Sequence, residues 1–233
     1  MSTTPIELFH KSLVEQVSDA IMDMIEREGL RPGDRLPATA VLTETFGVSR
    51  PVVREALKML EGRGVIEMSG GRTAVIKPVS GEVLHSFFER VLTFEREKLR
   101  EILEVRYGIE MQCARLAAQR RTPEQATALQ ELVAEMAQHL DDAESYAELD
   151  VRLHLLVAEA THNSLLYHLV HSIRDVLRDV IREGLDHRLT ASERHLVQVA
   201  HERVVHAITA GDPEAAAKAM AFHFDDALRA IFE

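Results

Sequence analysis

Asp150 and His154 stand four residues apart, and His201 and His223 lie on either side of a Gly211-Asp212-Pro213 break. Residues four apart on a helix share one face. Helices before and after Gly211 would run antiparallel, each histidine about ten residues from the turn and so at similar depth. Three imidazoles and one carboxylate converging inside a helical bundle make a site for a divalent transition metal, zinc foremost, with nickel or manganese as alternatives. The plainer possibility is chance: the chain has 12 histidines, and a histidine within a helical pattern is commonly solvated or satisfied in the core. His139, His168, His171, His187, His195 and His206 are read in that plainer way.

A second set of residues suits polyanions. Arg50, Arg54 and Lys58 recur at i, i+4 and i+8, so three cations line one side of a helix whose other side carries Val53, Leu57 and Leu60. Before it, Leu42 and Phe46 mark a shorter helix, and Gly47-Val48-Ser49 is the turn between the two. Ser49 suits the N-cap, and Pro51 fits the first turn, where its missing amide has no helical partner. Two β-prone runs, 65–68 and 73–76, flank Ser69-Gly70-Gly71 as a hairpin wing. An arginine can offer parallel donors to guanine O6 and N7, Ser49 and the helix amides suit phosphate, and a glycine at Gly71 lets backbone approach a sugar-phosphate wall. Charge runs are usually solvated faces. The attached turn and wing favour DNA contact instead.

The elements that must position these residues fall into two groups. Residues 10–28 carry Leu13, Val17, Ile21, Met24 and Ile25 at helical spacing, closed by Gly29. With the helix-turn-helix and wing they form an N-terminal winged helix-turn-helix domain over 1–78. Lys77-Pro78-Val79-Ser80-Gly81 breaks every pattern, which places a linker at 79–82. Residues 83–233 read as an all-α antiparallel bundle of about seven helices, over 83–93, 97–120, 123–140, 145–161, 165–185, 190–210 and 213–231. Thr122-Pro123-Glu124-Gln125 and Thr190-Ala191-Ser192-Glu193 are capping boxes, and Asn163 can cap the helix that follows it. The fold class is mainly α.

The formal charge of -11 looks wrong for a DNA-binding chain until it is divided. Residues 1–79 are close to neutral at -1, the remainder carries -10, and residues 50–77 hold six basic against three acidic side chains. A basic patch survives on an otherwise acidic protein. No signal peptide or membrane-length apolar run is read, and Cys113 is the only cysteine. A cytoplasmic protein with an inert buried thiol is expected, with no membrane partner.

Residues 10–77 resemble the DNA-binding domain of the GntR family of bacterial transcription regulators, through Val48-Ser49-Arg50, Arg54-Glu55-Ala56-Leu57 and the Gly70-Gly71-Arg72 wing. The resemblance implies major-groove contact by Ser49, Arg50 and Arg54, and approach of Gly71 and Arg72 to the minor groove or backbone. Ala40 stands where many relatives carry arginine, which removes one usual DNA contact. The helical half is similar to the FCD effector domain of the FadR subfamily, through Arg106 in LREILEVRYGIE, Asp150 to His154, His162-Asn163-Ser164-Leu165, His201 and His223. Leu153 replaces the phenylalanine usual before the first ligand histidine. That resemblance implies Asp150, His154, His201 and His223 as the four metal ligands.

The implied function is a homodimeric regulator, read as a repressor, that binds double-stranded operator DNA. A small-molecule carboxylate would sit on the metal with its other end at Arg106, a fork suited to carboxylate. For Arg106 the plainer possibility is an intrahelical pair with Glu110. Two other classes compete: a zinc hydrolase carrying a DNA-targeting module, and a direct metal sensor. No Glu of the H-E-x-x-H kind stands beside the ligands, which counts against the hydrolase.

Overall fold

The computed structural model describes residues 11–69, 73–186 and 191–232, and the chain divides into two compact units between Val83 and Leu84. The first unit starts with α1 (Leu13–Glu28), set by a capping box in which Ser12 and Glu15 satisfy each other's backbone amides. Next come α2 (Thr39–Phe46) and α3 (Arg50–Gly62). Between them Gly47 takes φ 63°, a left-handed conformation in which its amide bonds back to α2 and the chain turns into α3. Ile21, Leu42, Val53, Leu60 and Ile66 are fully buried where α1 and α2 pack on α3. Each such side chain contributes roughly 1.5–3 kcal/mol through burial.

The wing is the antiparallel pair β1 (Ile66–Ser69) and β2 (Thr73–Ile76), in register from Ile66 opposite Ile76 to Ser69 opposite Thr73. Arg35 adds an isolated bridge to Val75 on the other edge of β2. Alternation along β2 buries Ala74 and Ile76 against the helices. Gly71 and Arg72, expected at the wing tip, lie outside the described residues.

Among the described residues the second unit holds seven α-helices: α4 (Glu82–Phe94), α5 (Leu99–Arg120), α6 (Pro123–Ala137), α7 (Ala143–Glu159), α8 (Ser164–Asp186), α9 (Ala191–Ala210) and α10 (Pro213–Phe232). A short 3-10 turn, Arg96–Lys98, leads into α5. The capping box at Thr122 and Gln125 is formed. Thr190, the start of the other expected box, lies outside the described residues. Helix α7 begins at Ala143 rather than at 145, because Asp142 caps it through the Ser145 amide.

Helix α5 is the hub of this unit, packing on α7, α8, α9 and α10. Its C-terminal end is pinned to α9: Arg121 donates from one terminal nitrogen to the Ala118 carbonyl and from the other to Thr209, at 2.8 and 2.7 Å. That guanidinium lies over Gly211, where a Cβ would meet it at 3.2 Å, and Gly211 has φ 75°. Glycine is therefore required at this turn, which sends α10 back along α9. Leu129, Met136, Leu153, Ile208, Met220 and Phe224 form the main core, and Ile102, Leu103, Ile173 and Leu177 a second cluster beneath α4.

Candidate metal centre and nucleic-acid interface

Three helices bring the expected ligands together. Asp150 and His154 come from one face of α7, His201 from α9 and His223 from α10. All four are buried, and one ligand atom from each falls within 4.8 Å of the others. The ring centroids of His201 and His223 are 4.3 Å apart, and those of His154 and His223 5.1 Å.

The hydrogen bonds around the cluster decide which atoms face inward. Gln198 gives its amide nitrogen to the Val133 carbonyl at 2.8 Å and to Glu202 at 3.0 Å, so its oxygen is left to accept from the Tyr146 hydroxyl at 3.0 Å. Having donated its proton, that hydroxyl accepts from His201 Nδ1 at 3.1 Å. His154 Nδ1 donates to Glu110 Oε2, which as an ionised carboxylate can only accept. Both rings are thereby set with the Nε2 lone pair directed into the cluster. Neither Nε2 has a hydrogen-bond partner, though both are buried. His201 Nε2 is 2.9 Å from Asp150 Oδ1, outside hydrogen-bond geometry. Two electron-rich atoms in such contact, with a second bare imidazole nitrogen 3.8 Å from the same oxygen, suit a cation. The donor set of three nitrogens and one carboxylate oxygen fits a first-row divalent metal.

Electrostatics agree. Burial would raise Asp150, but Arg174 and His154 hold its carboxyl well below the ordinary range. Glu110 is likewise held well down against burial by Arg174, His154 and Arg106. Burial, then the charge of Arg174, lowers His154 to about 4. Burial and the neighbouring His201 and His154 push His223 well below its usual value. Asp150, His154 and His223 are therefore held in the deprotonated forms that a metal requires.

Arg106 and Glu110 lie one turn apart on α5, and Arg106 Nε donates to Glu110 Oε1 at 2.6 Å. The Arg106 guanidinium lies 4.7 Å from the centre of the Phe224 ring. No described residue bonds its two terminal nitrogens. Glu110 was expected only as the intrahelical partner of Arg106, and Tyr146, Arg174 and Gln198 were not singled out in the sequence. Only Tyr146, four residues before Asp150 on α7, had local spacing that could have flagged it.

On α3, Ser49, Arg50, Pro51, Arg54 and Lys58 are all exposed, opposite buried Val53, Ala56, Leu57 and Leu60. Ser49 occupies the N-cap, yet its hydroxyl makes no cap hydrogen bond. Proline at the second helical position removes one of the two amides such a cap would bind. Lys58 pairs with Glu55 at 2.9 Å, an exposed contact of little strength, while Arg50 and Arg54 have no partner among the described residues.

A three-helix unit with a wing and a cationic helix, followed by a seven-helix unit enclosing a histidine-carboxylate cluster, defines a DNA-binding protein with a ligand domain. Residues 13–76 match the bacterial regulatory proteins of the gntR family, and residues 101–226 match the FCD domain. The HTH-type transcriptional regulator LutR of Bacillus subtilis is 33% identical over 90% of this chain and 98% of its own length. An Escherichia coli protein provisionally named L-lactate dehydrogenase operon regulatory protein is 31% identical over 91% of this chain and 84% of its own. A solved Streptococcus agalactiae GntR structure superposes with TM-score 0.70 at 26% identity, covering 93% of this chain and 99% of that one. The chain belongs to the GntR family, in its FCD-containing, FadR-like branch. It is a transcription regulator with a DNA-binding helix-turn-helix and an effector domain, and not an enzyme.

Proposed function

We propose that the helical domain holds one divalent metal on Asp150, His154, His201 and His223, and that a small carboxylate bound there alters operator affinity. The observation that carries this reading is the pair of buried, unpartnered Nε2 atoms of His154 and His201, aimed at Asp150 and His223. The metal would supply a Lewis-acidic anchor for a carboxylate or hydroxyl oxygen. Arg106 offers the other end, since its terminal nitrogens have no described partner and a guanidinium matches a carboxylate in a fork. The provisional name of the Escherichia coli relative makes L-lactate the first candidate, a 2-hydroxycarboxylate able to present two oxygens to one ion.

Coordination number separates two roles. Four protein ligands complete a tetrahedral zinc, which would then hold the bundle together, whereas nickel, manganese or expanded zinc keeps open positions for an effector. Arg50 and Arg54 read base edges, Ser49 and Pro51 at the start of α3 sit against phosphate, and Lys58, with Gly71 and Arg72 of the wing, contacts backbone. The active form is a homodimer acting as a repressor, two half-sites about one helical turn apart reinforcing each other.

Operator DNA selected from a random pool gives the test, with affinity measured by fluorescence anisotropy on metal-loaded protein. L-lactate or a related acid is expected to change wild-type affinity by about 5- to 150-fold, the usual range of allosteric coupling. His201→Ala and Arg106→Ala should not respond. Equal responses in wild type and both variants, or no response to any organic acid in metal-loaded protein, would overturn the effector role.

A further inference from the structure

Arg174 on α8 was not marked by any motif, yet it is the most completely buried charge in the second unit among the described residues, with 0% exposure. Its guanidinium makes three contacts. Nη1 donates to Asp150 Oδ2. Nε donates to Glu110 Oε1 at 3.0 Å and Nη2 to Glu110 Oε2 at 3.1 Å, a two-pronged grip on that carboxylate. Asp150 is itself a candidate ligand, and Glu110 is the group that orients His154 through Nδ1.

We propose that Arg174 is the positioning residue of the metal centre, fixing two of its four ligands at once. By occupying Asp150 Oδ2 it leaves only Oδ1 to face His154 and His201, so Asp150 binds through one oxygen rather than two. By gripping both oxygens of Glu110 it fixes the carboxylate that sets the His154 ring and tautomer. The consequence would be a site assembled before the ion arrives, with α8 tied to the centre although it donates no ligand. A lysine could hold one of the two carboxylates but cannot span both, because its ammonium lacks the planar fork.

This inference rests on the metal reading above, and the experiment separates their failures. Metal affinity of chelator-stripped wild type and Arg174→Lys is measured by competition with a chromophoric chelator, using zinc and cobalt(II), with circular dichroism confirming that the variant folds. Arg174→Lys is expected to bind about 10- to 100-fold more weakly, the usual cost of losing an outer partner of a metal ligand. Its cobalt(II) absorption should change in position and intensity, because the ligand geometry is altered. A folded Arg174→Lys with wild-type affinity and an unchanged cobalt spectrum overturns the positioning role while the metal site stands. Absence of binding by wild type overturns both. Should Arg174→Lys not fold, a crystal structure of metal-loaded wild type decides: Asp150 bound through Oδ1 alone, with Arg174 still on Oδ2, supports the role, and two-oxygen coordination with Arg174 displaced overturns it.

Discussion

Arg54 stands one helical turn beyond Arg50 on the exposed side of α3, unpaired among the described residues, while Val53 beside it is fully buried. Its removal should therefore leave the unit folded and subtract from DNA contact alone. Arg54→Ala is expected to lose about 1–3 kcal/mol of operator affinity, most of it as lost discrimination at one base pair. Anisotropy titrations against the selected operator and single-base variants check this; uniform weakening on every sequence would assign Arg54 to phosphate instead. In the helical unit the residue-scale consequence is a pH dependence. His154 is held at about 4 in the folded protein against an ordinary value of 6.5, so between those values the unfolded chain binds the proton and the native state does not. Stability from this group is fully present above about pH 6.5 and is lost as pH falls toward 4, by about 3 kcal/mol at most. The depressed Asp150 and Glu110 act in the same direction at lower pH. Thermal melts of chelator-stripped protein from neutral pH to about pH 4.5 should show a falling midpoint. A midpoint that stays level or rises on acidification would contradict the buried, neutral assignment of His154.

Helix ends carry their own chemistry, and this made most of the elements legible. Gly29 and Gly47 stop helices in the left-handed conformation, Thr122 and Gln125 form the expected capping box, and the Gly211 turn separates α9 from α10. Thr122→Ala removes a side chain that accepts from the Gln125 amide, and should cost about 1 kcal/mol. Chemical denaturation checks it, with restoration in Thr122→Ser; an unchanged midpoint would mean the cap is replaced by water at no cost. Where helix limits were misjudged, a neighbouring polar residue had taken the cap. Asp142 starts α7 earlier than Ser145 would, and Ser12 rather than a residue near 10 starts α1. Propensity places a helix within a few residues, and the cap actually used fixes its end.

At the scale of the whole molecule, the ligands and their supports differ in how far sequence could carry them. Asp150 and His154 are neighbours on one helix face, and His201 and His223 are related by a turn, so local periodicity reaches all four. Glu110 and Arg174 are 64 positions apart and meet only because α5 packs against both α7 and α8. Nothing periodic within either helix marks that meeting. Gln198 and Tyr146, 52 positions apart, are hidden for the same reason. The buried polar network is thus a product of tertiary packing, and each carboxylate and guanidinium in it is tolerable only because the others are present. The two units divide the chemistry between them: the first offers unpaired arginines on its surface, and the second buries a network of Arg106, Glu110, Asp150 and Arg174.

The measurement that bears most directly on this account is calorimetric titration of chelator-stripped wild type and His201→Ala with zinc, nickel and manganese. One ion per chain, bound by wild type and lost or weakened by orders of magnitude in the variant, is the predicted result. Wild type that binds none of the three, or His201→Ala that binds as tightly as wild type, would contradict the metal centre and reduce the cluster to a buried polar network within the helical domain.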